Sequence, residues 1–306
     1  MTGGGRAAHP GYDLSRFAHA LAEVRAHRSA DPPCGPSPLL ADAVVAFSRV
    51  GSTQEEARAL VRAGAPHGTI VLAEEQTAGR GRRGRTWISP PGAGIWATVI
   101  LRRAVPEAAP QGLTLAAAVA VCEAARALGA EVEIKWPNDV IAAEGKVAGV
   151  LGEMLATGAG PCALLGLGVN YDWGAGNASD AGGAPAAASL DQEATDLRAA
   201  GLRAGAGRED VLAAIVASLE EVVSAAGGGR LAEVLERWRV LSPSSAGRLV
   251  TVVETAGEPV RGTTRGIASD GSLLVEDDGG VAHIVRFGGT LRFEAQARRN
   301  ADASDH

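Results

Sequence analysis

The run Gln76-Thr77-Ala78-Gly79-Arg80-Gly81-Arg82-Arg83-Gly84-Arg85-Thr86-Trp87 interleaves four arginines with three glycines between two apolar stretches. Glycine lets the backbone approach a ligand closely, and a planar guanidinium grips phosphate or carboxylate oxygens with two parallel hydrogen bonds. The chemistry that suits this pattern is a mobile anion clamp. Gly79-x-Gly81-x-x-Gly84 also matches the dinucleotide fingerprint, which requires a helix to open inside it. Pro90, Pro91 and Gly92 would break such a helix within its second turn, so that reading is set aside. A solvated basic loop with no ligand is the bland alternative, because charge runs are usually wet surface.

Other polar residues punctuate apolar runs. Ser52 and Glu55 have capping-box spacing, which predicts a helix from Ser52 to about Ala63, ended by Gly64. Ser52 and Thr53 either cap that helix alone or also present hydroxyls and free N–H groups to a polar ligand. Lys135-Trp136-Pro137-Asn138-Asp139 interrupts a strand: Pro137 cannot sit in a regular central strand, and Asn138 and Asp139 favour a turn. Lys146 enters the next strand, and Asn170 ends another that begins near Ala163. The sequence offers no Ser-His-Asp or Cys-His arrangement for nucleophilic catalysis.

The whole chain bounds the classes open to these residues. Its 306 residues, 46% hydrophobic and 21% charged, suit one large domain plus a small one. A net charge of -6 makes the arginine run a local basic feature and disfavours nonspecific nucleic-acid binding. Cys34, Cys122 and Cys162 form no CxxC pair, which argues against a disulfide framework or a zinc site and fits a reducing cytoplasm. Cys122 and Cys162 lie in apolar runs and read as small core residues. No signal peptide and no membrane span are recognisable, so a cytoplasmic location is expected.

Elements follow from periodicity. Leu14, Phe17, Leu21 and Val24 predict one short helix before the Pro/Gly-rich linker Ser29 to Pro38, too little for a winged helix-turn-helix. Strands are expected near Val44–Arg49, Thr69–Glu75 and Ile95–Leu101, so the arginine run joins two strands. Helices are expected at Thr114–Leu128, Arg208–Ala225 and Leu231–Val240, and Gly174–Ala188 reads as a flexible loop. From Gly247 to Phe293 short alternating strands with Asp270-Gly271 and Asp278-Gly279 turns predict a small barrel of hairpins. The expected domains are an N-terminal extension over 1–40, a catalytic domain over 41–243, a barrel over 244–295 and a disordered tail over 296–306.

Taken in order, these motifs resemble those of biotin protein ligases of the type without a DNA-binding domain. The resemblance runs from about residue 44 to 294. It rests on Gly51-Ser52-Thr53, Gln76 to Trp87, Lys135 to Asp139, Lys146-Val147-Ala148-Gly149, Gly166-Leu167-Gly168-Val169-Asn170 and Gly288-Gly289-Thr290-Leu291-Arg292. It implies an α/β (α+β) fold: a mixed-sheet catalytic domain akin to lipoate ligases and class II synthetases, followed by an SH3-like β-barrel. It also implies ATP-dependent formation of biotinyl-5′-AMP, with Mg²⁺, and transfer of biotin to one lysine of the biotin carboxyl carrier protein or domain of acetyl-CoA carboxylase or a related carboxylase. Residue by residue, the resemblance puts Ser52, Thr53, Gln76, Gly79, Arg80 and Gly149 at biotin, and Lys146 and Arg82 at the reacting groups. Arg82, Arg83, Arg85, Trp87, Asn138, Asp139, Lys146, Asn170 and Arg292 would serve ATP and the adenylate, with Asp139 also a candidate Mg²⁺ ligand. Two positions depart from the pattern: Gln54 replaces an asparagine, and Gly289-Thr290 replaces an acidic residue with a following x-Ser. The alternatives are a lipoate–protein ligase, sharing fold and chemistry, or a nucleic-acid binder using the Arg/Gly loop. No nucleic-acid or membrane partner is expected; a monomer and a homodimer both remain open.

Overall fold

Ser52 starts the segment on which the first sheet is built. Its hydroxyl caps helix α2 (Thr53–Arg62) by accepting the Gln54 N–H at 3.3 Å. Glu55 and Glu56 lie in the first turn and Arg62 in the last, complementing the helix dipole, and Gly64, at φ +88°, carries the chain out in the left-handed region. α2 connects two parallel strands, β1 (Val44–Val50) and β2 (Ile70–Gln76). Its Ala57 and Val61 pack on Val71, Ile100, Cys162 and Leu164.

The computed structural model describes residues 11–28, 40–102, 110–143, 145–158, 160–173, 194–253, 259–286 and 290–294. The expected loop at Gly174–Ala188 lies outside them. The chain divides into two compact units, Met1–Ser242 and Pro243–His306.

In the first unit, β2 runs antiparallel to β3 (Gly94–Leu101), which pairs with β7 (Gly160–Asn170). β7 pairs with β6 (Gly145–Thr157), β6 with β5 (Asp139–Ala142), and β5 with β4 (Glu133–Lys135). The result is a seven-stranded mixed sheet in the order β1-β2-β3-β7-β6-β5-β4, with only β1 and β2 parallel. Side chains alternate along a strand, and Ala163, Leu165, Leu167 and Val169 of β7 are as buried as Cys162 and Leu164 on the α2 side. The odd-numbered face is covered by helices α3 (Pro110–Ala127) and α4 (Arg208–Gly227), which pack on each other. Helix α5 (Leu231–Leu241) follows and buries Val234, Leu235 and Trp238.

The first helix, α1 (Leu14–Arg28), lies along α4 and buries Phe17, Ala20 and Leu21. Arg25 grips the Glu220 carboxylate, which also accepts the Leu40 N–H at 2.8 Å. Among the described residues no helix is long and apolar enough to cross a membrane.

The second unit is a five-stranded antiparallel sheet in the order β11-β10-β9-β8-β12: β8 (Ala246–Val253), β9 (Val260–Ile267), β10 (Leu273–Asp277), β11 (Ala282–Val285) and β12 (Thr290–Phe293). Val250, Val252, Leu273 and Val275 form its interior. Asp270 accepts the Ser272 N–H, and Asp277 accepts those of Gly279 and Val281, each at 2.9 Å. The side chains thus hold the turns the sequence marks. This sheet is compatible with the SH3-like barrel expected.

Candidate active site

Ser52, Thr53 and Gln76 come together where α2 begins and β2 ends. Gln76 Oε1 accepts both the Thr53 N–H at 2.8 Å and the Thr53 hydroxyl at 3.1 Å, while Gln76 Nε2 donates to Ser89 Oγ at 2.8 Å. Thr98 of β3 stands beneath them, its Oγ1 2.9 Å from Thr53 Oγ1 and 3.2 Å from Gln54 Oε1. Gln54 is 3% exposed and its Nε2 has no partner, so the substituted position is a buried amide at the same site. Thr98 is the residue sequence reasoning missed; the available signal is one hydroxyl in the otherwise apolar strand Gly94–Leu101.

The arginine run forms a narrow excursion between β2 and β3. Gln76 bridges Ser89 and Arg80 bridges Thr86; Trp87 N donates to Gly79 O at 2.9 Å and Gly81 N to Arg85 O at 2.7 Å. A Cβ on Gly79 would lie 2.3 Å from Trp87 O, so only glycine fits there. Arg82–Gly84 make a 3-10 turn at the tip, with Arg83 at φ 59°.

Trp87 folds back onto β6 and β7, where a Cβ on Gly168 would come within 2.5 Å of its indole and one on Gly149 within 3.2 Å. These two glycines are register partners and make a flat floor for the ring. Trp87 is 6% exposed, meets Trp96 edge-on at 6.4 Å between centroids, and its Nε1 is unpartnered. Lys146 Nζ lies 5.2 Å from the Trp87 ring centre and 2.7 Å from Asp139 Oδ1. A buried ammonium is thereby held by one carboxylate and one aromatic face.

Two adjacent residues, Asn138 at the end of the β4–β5 turn and Asp139 at the start of β5, each hold one cation. Asp139 takes Lys146; Asn138 Oδ1 accepts from Arg82 Nη1, while Asn138 Nδ2 donates to Val150 O. Burial holds the Arg82 guanidinium below its ordinary pKa, against the pull of Asp139. Asn138 is thus committed at both ends and acts here by placing Arg82. Asp139 bonds Lys146 rather than only its own backbone, the common fate of an aspartate in a turn. Asn170 is committed in part: Nδ2 donates to Lys146 O at 3.1 Å and Thr195 O at 2.9 Å, and Oδ1 is buried without a partner.

The remaining expectations sort plainly. Arg80 is paired with Glu55 at the rim, Arg83 is exposed, and Arg85 is half-buried. The Ser52 hydroxyl caps α2 through the Gln54 N–H, but the reciprocal capping box does not form, because Glu55 turns to Arg58 and Arg80 instead of its own helix N-terminus. Lys135 and Trp136 are buried beside the turn, and Arg292 lies on β12 of the second unit. Gly288 and Gly289 lie outside the described residues. Cys122 and Cys162 are buried free thiols, and among the described residues no three His, Cys, Asp or Glu side chains cluster as a metal cage.

Residues 47–170 match the biotin/lipoate A/B protein ligase family. A biotin–[acetyl-CoA-carboxylase] ligase from Mycobacterium tuberculosis is 33% identical over 257 residues, covering 79% of this chain and 85% of that one. The bifunctional ligase/repressor BirA of Bacillus spizizenii is 44% identical over 125 residues, and the aligned stretch spans only 38% of its length. The biotin protein ligase from Aquifex aeolicus, solved in complex with biotin and ATP, has the same fold, with a TM-score of 0.66 at 24% identity over 83% of this chain and all of that one. With a relative 33% identical over 79% of this chain and 85% of its own length, a family match over residues 47–170 and the shared fold, the chain belongs to the biotin protein ligases of the biotin/lipoate A/B protein ligase family.

Proposed function

We propose that the first unit joins biotin to ATP as biotinyl-5′-AMP and passes the biotinyl group to one lysine of a biotin carboxyl carrier domain of acetyl-CoA carboxylase. In the first step a biotin carboxylate oxygen bonds to the α-phosphorus and the bond to the β-phosphate bridge breaks, releasing pyrophosphate. In the second, the carrier lysine amine attacks the biotinyl carbonyl, loses a proton and expels AMP. Neither step needs a protein nucleophile, and the chain's task is to hold two anions together and spread their charge.

The observation that carries this reading is the buried Lys146 ammonium, poised on a glycine floor and flanked by Asp139 and Trp87, with Arg82 on the neighbouring turn residue. Asp139 balances the ammonium until substrate anions arrive; Lys146 then meets the biotin carboxylate and the α-phosphate together. Arg82, supported by Asn138, takes phosphate charge, with Arg83 and Arg85 beside it on the same excursion. Ser52, Thr53 and Gln76 meet the polar ring of biotin, and the backbone at Gly79 and Arg80 and the floor at Gly149 close around it. Trp87 and Asn170 border the nucleotide and shield the anhydride from water. The Mg²⁺ enters as part of the ATP substrate: one carboxylate, Asp139, suits an ion whose other ligands are phosphates and water, and it would neutralise charge on the phosphates.

The test is direct. The purified chain, given ATP, Mg²⁺ and biotin, should add one biotinyl mass to the lysine of an isolated carrier domain, and lipoate should not substitute. Transfer of lipoate instead would keep the chemistry and overturn the substrate.

A further inference from the structure

The arginine excursion is tied to the body of the first unit at two named points of different strength. At its tip Arg82 is half-buried and donates to Asn138. Nearer its root Arg80 reaches outward to α2, Nη1 2.5 Å from Glu55 Oε1, with the two side chains 53% and 41% exposed. Glu55 is braced before it meets the excursion: its other oxygen binds Arg58, whose Nη2 is 2.5 Å from Glu153 Oε2 on β6. The Arg58 hydrogen bond, with Arg80 adding, holds the Glu55 carboxyl below its ordinary range. Arg80 is bridged to Thr86 and sits between Gly79 and Gly81, whose hydrogen bonds to Trp87 and Arg85 close the excursion. Whatever fixes Arg80 therefore fixes the paired backbone leading to Arg82 and Trp87.

We propose that Glu55 is a positioning residue, a latch that holds the arginine excursion against the first turn of α2 through Arg80. The same turn carries Thr53, with Ser52 at its cap, so the latch ties the anion-binding excursion to the hydroxyl end of the site. Its catalytic consequence rests on the function proposed above; its effect on the free protein does not. An exposed pair of this kind biases an equilibrium by no more than about five-fold and is screened by salt, which suits a contact that must open for each turnover.

Tryptic cleavage within residues 80–85 of the ligand-free full chain reads the latch. At low salt Glu55→Gln should be cut about two- to five-fold faster than the unaltered chain, the range an exposed ion pair allows. Glu56→Gln, which removes a charge from the same helical turn, should be cut at the unaltered rate. Salt at about 0.5 M should bring the unaltered chain to the rate of Glu55→Gln, because the pair is then screened. Glu55→Gln should also raise KM for biotin and leave kcat unchanged, and combining it with Arg80→Gln should add nothing to Arg80→Gln alone. Equal cleavage of Glu55→Gln and the unaltered chain would overturn the latch, as would equal acceleration by Glu56→Gln, which would mark a general helix-end effect. The cleavage comparison decides the latch even where biotin-dependent activity fails and the functional reading falls.

Discussion

Lys146 is held by neighbours that each constrain one degree of freedom: Asp139 its charge, Trp87 its face, and Asn170 and Thr195 its backbone carbonyl. The floor beneath Trp87 tolerates no side chain. Gly168→Ala puts a Cβ within 2.5 Å of the indole and should cost about 1–3 kcal/mol as overpacking. It should shift the tryptophan fluorescence and lower the melting temperature, whereas Gly158→Ala, at a turn position with nothing within 4 Å, should do neither. The cysteines give a separate check on burial. Burial pushes the Cys122 thiol up to about 12 and raises that of Cys162, so neither forms thiolate at neutral pH. Of the three thiols in the chain, a disulfide reagent should titrate at most Cys34 in the native protein and all three after unfolding.

At the scale of elements, β3 does more than join the excursion to the sheet, because Thr98 supports Thr53 and Gln54 from below. Thr98→Val keeps shape and removes the hydroxyl, leaving the Gln54 amide with no partner. It should destabilise by about 1–3 kcal/mol and raise KM for biotin in steady-state assays. An unchanged KM would mean that Thr53 needs no such support. The elements themselves were legible: hydrophobic period, with the cap at Ser52, locates β1, β2, β3, β7 and the five helices to within a few residues. The contacts of single side chains were less so. Glu55 reads as half of a capping box, yet it turns to Arg58 one helical turn on and to the distant Arg80; the i,i+3 spacing of Glu55 and Arg58 allows the first contact, but nothing in the spacing of Arg80 and Glu153 announces theirs. Asn138 and Asp139 were legible as a turn, but which cation each would hold depends on a sheet register that joins β5 to β6.

On the scale of the molecule, the segment leading into α1 is tied to the first unit through a buried charge cluster. Arg208 of α4 pairs with Glu74 of β2 at 2.8 and 3.0 Å, and stacks on Tyr12, whose hydroxyl donates to Gly94 O at the start of β3. Burial raises the Tyr12 pKa well above that of a free phenol, so it stays a neutral donor. Breaking one side of this pair leaves a buried charge, and Arg208→Met should cost about 3–5 kcal/mol by chemical denaturation. A loss below about 1 kcal/mol, the value of an exposed pair, would show that water reaches Glu74. Both ends of this cluster sit next to the roots of the arginine excursion, since Glu74 lies two residues before Gln76 and Gly94 opens β3. The fold therefore spends its one deeply buried arginine–glutamate pair among the described residues near the place where the site must stay firm. The most direct measurement of the account is biotin-dependent exchange between ATP and pyrophosphate, run with the unaltered chain and with Lys146→Ala. Exchange should proceed with biotin and not with lipoate, and should fall at least about a hundredfold in the variant, as for loss of one transition-state charge contact. Exchange that survives in Lys146→Ala would contradict the proposed role of Lys146.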